Sequence, residues 1–197
     1  MMRSVLLFAV LLLAGCGPLV QIGGNDKAPV ALLTLRATAG APTAARDPAR
    51  TLSVVTPLVP GPLQTLRLPV ITKDTELAYL TGATWAEQPA KQFARVLADT
   101  IGASGVTILD ARQSAVGATR QLAGTLVDFG VDARDPAALA VLIRYDALLT
   151  GDGGRTLGVR RFDARAPVAS NDPAVVGAAL NGLANRVAGE VADWVGR

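Results

Sequence analysis

The chain has 197 residues, of which 50% are hydrophobic and 18% charged, with one cysteine and no histidine. These counts exclude a Ser-His-Asp or Cys-His relay, a histidine-ligated metal site and an internal disulfide. The 19 Lys and Arg residues are spread among 16 Asp and Glu residues, which does not favour nucleic-acid binding. Carboxylate, lysine or tyrosine chemistry stays open, but we expect a non-enzymatic binding or assembly protein without a metal or cofactor.

The first 15 residues have the pattern of a secretory leader. Arg3 is followed by an apolar run over residues 5–13, and Ala14-Gly15 directly precedes Cys16. Nine residues rise only about 14 Å as a helix, too short for a hydrocarbon core about 30 Å thick. The pattern therefore predicts a signal peptide over residues 1–15.

The residues Leu13-Ala14-Gly15-Cys16 have the form of a bacterial lipobox. It predicts cleavage before Cys16 and acylation of that thiol, and two or three acyl chains would hold the protein stably in a leaflet. The alternative is an ordinary signal peptide followed by a buried cysteine. Gly17 rather than Asp after the cysteine favours, by enterobacterial sorting, the periplasmic leaflet of the outer membrane.

Residues 16–29 are rich in Gly and Pro and are predicted to form a lipidated tether. Residues 30–197 are predicted to form a single domain. In its first half, strands are expected over residues 30–37, 52–56, 66–72 and 76–80. Pro69 favours an edge or bulge position for the third of these.

From residue 85 to residue 103 the apolar period changes from two to about 3.6, which predicts an amphipathic helix with Pro89 in its first turn. A short strand is expected at residues 106–109. Three longer strands, over residues 119–131, 139–149 and 156–166, are joined by turn-rich connections and predict an antiparallel meander.

A second helix is predicted from Pro173 to the C-terminus, with Asp172 or its neighbour Asn171 as the cap. The order of elements predicts an α/β (α+β) fold. Its mixed, largely antiparallel sheet would be packed by two main amphipathic helices and covered mainly on one side.

Three arginines at odd positions of the last strand are predicted to share one face: Arg155, Arg161 and Arg165. Arg160 would lie on the opposite face. The functional hypothesis is a cationic patch for an acidic partner or anionic headgroups. The alternative is that Asp146, Asp163 and solvent satisfy these charges.

Other candidate sites have simpler structural interpretations. Gly151-Asp152-Gly153-Gly154 lacks the Lys-Ser/Thr of a P-loop and lies between two strands, so it predicts a hairpin turn. The carboxylate pairs Asp128/Asp132 and Asp146/Asp152 have no spacing that demands an acid/base role. Large aromatics are expected in the core rather than at a binding surface: Tyr79, Trp85, Phe93 and Trp194.

The order of these features resembles the ABC-type transport auxiliary lipoprotein component family, which includes the PqiC-like lipoproteins. The resemblance follows the lipobox through residues 63–97, 120–132 and 159–168 to the closing Asp193-Trp194-Val195. Its most specific parts are Tyr79 with Trp85-Ala86-Glu87, and Arg161-Phe162. None of these is a catalytic motif.

The resemblance implies a TolB N-terminal-domain-like fold and a non-catalytic outer-membrane lipoprotein. Such a lipoprotein would assist an ABC/MCE-type transporter that moves phospholipids between membranes. Its partners would be an MCE-domain protein, whose periplasmic conduit it docks, and an ABC permease and ATPase. The oligomeric state stays open, with a homo-oligomer among the alternatives. The competing hypothesis is an envelope assembly or scaffolding lipoprotein unrelated to lipid transfer.

Overall fold

A computed structural model describes residues 30–41, 51–110 and 117–196. In chain order the described strands are β1 (Ala31–Leu33), β2 (Thr51–Val54), β3 (Pro69–Lys73), β4 (Glu76–Tyr79), β5 (Ala83–Trp85), β6 (Thr107–Ile108), β7 (Arg120–Asp132), β8 (Ala140–Thr150) and β9 (Thr156–Pro167). The described α-helices are α1 (Pro89–Ala103) and α2 (Pro173–Gly196), and short 3-10 turns span Gly61–Leu63 and Asp152–Gly154. The predicted α+β class is confirmed.

The long strand β7 organises the main sheet. On one side it pairs antiparallel with β8 along most of its length, and β8 pairs antiparallel with β9, which confirms the predicted meander. On its other side, the beginning of β7 lies parallel to β2 and its end lies parallel to β3. The strands β6 and β4 extend these two arms, while β1 and β5 form a separate parallel pair.

Both helices contribute to the hydrophobic core on one face of this sheet. Because strand side chains alternate, every second residue of β8 points toward the helices, and these residues are buried from Val141 to Leu149. Tyr145 lies opposite Leu126 on β7 and Phe162 on β9, and its ring meets that of Phe93 on α1 edge-on at 5.4 Å. The sheet is thus covered on one face, as predicted.

Near both of its ends, helix α2 packs closely against neighbouring segments at positions where a glycine leaves no room for a larger side chain. A Cβ atom on Gly177, near its start, would lie 2.9 Å from Leu33 Cδ2. Near its end, a Cβ atom on Gly158 of β9 would lie 3.0 Å from the Trp194 ring. Asp172 caps the helix, as predicted, because its Oδ1 accepts from the backbone N–H of Ala174 at 2.9 Å.

Helix α1 begins four residues later than the change of period suggested. Trp85 belongs to β5, where its N–H donates to the Leu66 carbonyl at 2.7 Å and its ring packs on Phe129. Gln88 is the N-cap residue and Pro89 takes the first helical position. Because the backbone N–H of Trp85 already bonds to the Leu66 carbonyl, Trp85 stays in the strand and does not extend the helix.

The first strand ends at Leu33 although an extended strand was predicted to residue 37. Beyond Leu33, side-chain amides of the helices take the place of a neighbouring strand. Gln92 Oε1 accepts from the Leu35 N–H at 2.7 Å. Asn181 and Asn185 accept from Arg36 and Thr38, each at 2.7 Å. The segment therefore lies against α1 and α2 without strand pairing.

Three further expectations need correction. Strand β3 is not at an edge, since it pairs with both β4 and β7; Pro69 is tolerated because it takes the first strand position. A register shift does occur between Ile71 and Lys73. Tyr79 is not a core residue: it is half-buried at the end of β4, where the Arg67 guanidinium stacks on its ring at 3.9 Å. Trp194 is only partly buried, against Phe162.

Gln92 provides a test of how the N-terminal segment is held. Its side chain is 1% exposed, accepts from Leu35 and donates to the Glu87 carbonyl at 2.6 Å. Gln92→Met removes both bonds at similar volume and leaves buried backbone groups unpaired, so we expect a loss of about 2–4 kcal/mol in unfolding free energy. Urea titration measures the loss, and hydrogen exchange should show faster exchange of the Leu35 amide.

The matched control for this variant is Gln121→Met, on an exposed position of β7. It should change stability by less than about 0.5 kcal/mol. Equal stability of the two variants would contradict a positioning role for Gln92.

Candidate interaction surface

The face of the sheet turned away from the helices carries rows of alternating charge. Residues directly opposite each other in antiparallel strands point to the same side. Asp128, Arg144 and Asp163 therefore form one row across β7, β8 and β9. Arg144 Nε lies 2.8 Å from Asp163 and its Nη1 lies 3.3 Å from Asp128. We call this side of β7, β8 and β9 the open face.

The next row contains a two-point ion pair between Arg161 and Asp146. The guanidinium donates to both carboxylate oxygens, at 2.6 and 2.8 Å. This pairing lowers the pKa of Asp146 and raises that of Arg161. Parallel bonds of this kind hold both side chains in a defined orientation.

At the end of β7, the Asp132 carboxylate contacts two arginines. Its carboxylate is 4% exposed and accepts from Arg134 at 2.9 Å and from Arg165 at 3.1 Å. Arg134 also donates to Asp74 at 3.2 Å. The hydrogen bonds from Arg134 hold the pKa of Asp132 well below its ordinary value, against the opposing effect of burial.

The arginines of the predicted cationic patch do not all lie on one face of the sheet. Arg161 and Arg165 do share the open face, but Asp163 stands between them and each arginine contacts an aspartate. Arg155 precedes β9, and a register shift near Thr150 breaks the alternation that would have extended the row to it. Arg160 lies on the helix side, over the Phe162 ring at 4.8 Å.

An apolar groove of about 200 Å³ lies beside these charges. The proline-rich segment before β3, the strands β3 and β4, and the middle of β7 and β8 line it, including Pro60, Ile71, Leu77, Val127 and Leu142. Sequence reasoning missed the groove because its walls come from separate segments. Val127 lies at the bulge where β7 and β8 change register, a feature with no clear mark in the sequence.

Other candidate positions have structural roles. The glycine-rich segment after β8 forms the predicted hairpin turn, with Gly153 and Gly154 at positive φ.

Within the three described ranges, no cluster of metal-ligating side chains occurs. No helix in the same ranges has the length and apolarity needed to cross a membrane. Cys16 lies outside the described residues.

The family model of the ABC-type transport auxiliary lipoprotein component matches residues 32–192. The chain belongs to this family. The match runs from β1 into α2 and so includes the helix layer and the open face. The family is named for its part in ABC-type transport and is not a known enzyme family.

Solved structures share the fold of this chain. Protein XCC0632 from Xanthomonas campestris has a TM-score of 0.70 at 21% identity, with 83% of this chain and 92% of that chain covered. An uncharacterised protein has a TM-score of 0.63 at 17% identity, covering 79% and 96%. The hypothetical protein CT253 from Chlamydia trachomatis has a TM-score of 0.50 at 10% identity, covering 74% and 96%. No curated protein matches the chain.

The arginine cluster on Asp132 predicts a pH-dependent stability difference. Asp132→Asn should lower the unfolding free energy at pH 7 by about 2 kcal/mol, because charge-assisted bonds are lost. The pKa of Asp132 is lowered in the folded protein, so its contribution is complete above the unfolded value near 3.9 and fades as the pH falls below it. Urea unfolding at pH 7 and pH 3 should show the difference shrinking by about 1 kcal/mol.

The control is Asp152→Asn in the exposed hairpin turn, where a change below about 0.5 kcal/mol is expected at both pH values. A wild-type advantage that stayed constant between pH 7 and pH 3 would contradict the role given to the Asp132 carboxylate.

Proposed function

We propose that this protein is a lipid-anchored accessory subunit of an MCE-type phospholipid transporter, held in the periplasmic leaflet of the outer membrane. The observation that carries the proposal is the family match over residues 32–192. The lipobox ending at Cys16 supplies the anchor, and the domain from residue 30 supplies the contact with the periplasmic conduit. The ABC permease and ATPase power the transport from the inner membrane.

The anchor and the tether together limit where the domain works. The tether of residues 16–29 has about 14 residues and reaches at most about 50 Å when fully extended. Two or three acyl chains at Cys16 would hold the protein stably in the leaflet. The domain therefore stays near one membrane while its conduit partner extends from the other.

The open face is the surface we assign to the conduit. Its charges alternate in sign along β9, from Arg161 through Asp163 to Arg165. Such a pattern favours one register of a partner with the complementary alternation and disfavours others. Arg155, exposed at the adjoining hairpin, adds a cation at the rim. The conduit end is accordingly expected to present acidic side chains there.

Loss of the anchor is the first test. Cys16→Ala should remove the protein from the outer-membrane fraction and abolish lipid transport in the intact cell, because the thiol that accepts the lipid is gone. Membrane fractionation measures the loss of the anchor. The detergent sensitivity of the cells, which depends on lipid transport, measures the loss of transport. A variant that stays in the outer-membrane fraction and retains transport would contradict the proposed anchor.

Charge reversal on the open face is the second test. The combined change Arg155→Glu, Arg161→Glu and Arg165→Glu should weaken capture of the MCE-domain protein at least about tenfold, or 1.4 kcal/mol. Arg186→Glu is the control for a charge reversal outside the open face, since Arg186 is an exposed, ion-paired arginine on the helix layer. Circular dichroism establishes that both variants fold.

The outcomes of the capture experiment separate the two functional hypotheses. Wild-type protein should retain the MCE-domain protein and the ABC permease. Capture of neither, with retention of other envelope proteins, would instead support the scaffolding role. Equal capture by the triple variant and the control would remove the open face from the proposal.

A further inference from the structure

Exposed apolar side chains surround the point where the described chain begins. Val30 and Leu32 lie at the start of the domain and are exposed, and Leu66 is exposed close by. We propose that this surface contacts the lipid bilayer directly, in addition to the acyl anchor. We call it the N-terminal edge and define it as Val30, Leu32, Leu66 and Arg67. The inference rests on the proposed anchor at Cys16.

Backbone pairing brings the two leucines of the N-terminal edge together. Leu32 lies opposite Thr84 in the parallel pair of β1 and β5. On the other side of β5, the Leu66 carbonyl accepts from Thr84 Oγ1 at 2.9 Å and from the Trp85 N–H at 2.7 Å. Leu32 and Leu66 thus belong to segments that flank the same strand residue, although 34 positions separate them in the chain.

The alternation of the first segment directs one set of side chains outward. Leu33 and Leu35 are buried in the core, so the residues between and before them face away from it. Leu32 is 68% exposed, which is a large fraction for a leucine held in a fixed strand pair. Because the amides of Gln92 and Asn181 fix the following residues, this outward set is presented by a rigid backbone.

Polar groups beside the leucines suit a lipid headgroup region. The Arg67 guanidinium lies over the Tyr79 ring at 3.9 Å, next in sequence to Leu66. Arg36 is exposed on the outward set that includes Leu32. Tyrosine and arginine place an apolar body below a polar tip at membrane interfaces. Arginines near the surface also attract anionic lipids.

The course of the chain identifies the bilayer as the occupant. The tether joins the domain at Val30, within the N-terminal edge itself, so this surface is the part of the domain directly attached to the anchored segment. Tethering raises the effective concentration of the bilayer at this surface, so a weak apolar contact suffices. A few leucine and valine side chains, each contributing about 1.5–3 kcal/mol on full burial, fit that requirement.

The experiment uses the full mature chain in vesicles of phosphatidylethanolamine and phosphatidylglycerol that contain a nitroxide-labelled lipid. Cys16 is the only cysteine of the chain and its thiol is blocked when acylated. Leu32→Cys and Leu66→Cys therefore each provide a single reactive thiol for a polarity-sensitive fluorophore. We expect nitroxide quenching of each label at least three times as strong as that of the control label.

The matched control is Val159→Cys on β9. Val159 is 72% exposed, close to the value for Leu32. Its neighbour Gly158 contacts Trp194 near the end of α2, whereas Leu33 contacts Gly177 near the start of that helix. These two helix positions are about 26 Å apart. A label at residue 159 therefore reports a surface of equal exposure at the other end of α2.

The outcomes separate the N-terminal edge from the anchor. Equal quenching at residues 32 and 159 would overturn the proposed bilayer contact. The same would follow if the label at residue 32 responded to protein concentration and not to lipid, because a second copy of the chain would then cover the edge. Flotation of the vesicles and the mass of the N-terminus report acylation independently.

A Cys16→Ser background tests the edge without the anchor. If the N-terminal mass shows that the chain with its native Cys16 is not acylated, the proposed anchor is wrong. The quenching at the N-terminal edge is then measured on the full Cys16→Ser chain at high lipid concentration. Stronger quenching at residue 32 than at residue 159 then supports the bilayer contact. Absence of that difference in the anchored and unanchored chains overturns it.

Discussion

Burial of one face of the β7–β9 meander beneath α2 is the constraint on which the rest of the structure depends. The helix presents a continuous buried stripe that includes Val176, Leu180 and Val191, and the meander presents the alternate residues of three paired strands. Both surfaces are apolar, so neither is stable in water alone. The close approaches at Gly177 and Gly158 show how tightly the helix is seated at each end.

This arrangement divides the molecule into two sides with different chemistry. Side chains of α1 and α2 hold the N-terminal segment through Gln92, Asn181 and Asn185, so the point where the tether enters lies on the helix layer. The open face lies across the sheet from the helices and carries paired charges. In the proposed mechanism, membrane contact and partner contact therefore use separate surfaces and can occur together.

In the proposed mechanism, the ion pairs of the open face contribute to recognition of the partner rather than to folding. Arg144, Arg161 and Asp163 are exposed and Asp128 and Asp146 are half-buried, and such pairs contribute little net stability because solvent screens them. Asp132 differs, since its carboxylate is buried and gathers two arginines. The open face thus combines one structural cluster with rows of accessible alternating charge.

The sequence by itself determined the α+β class, the meander and both helices, because each depends on a local period, a first-turn proline such as Pro89 or a capping residue such as Asp172. Only the tertiary structure decided that Trp85 is a strand residue, that Tyr79 is half-buried under Arg67, and that Arg165 contacts Asp132. It also decided which groups take the place of a strand beside residues 34–38. These outcomes depend on contacts between residues far apart in the chain, and neither a local period nor a composition records which distant groups will satisfy a backbone amide or a charge.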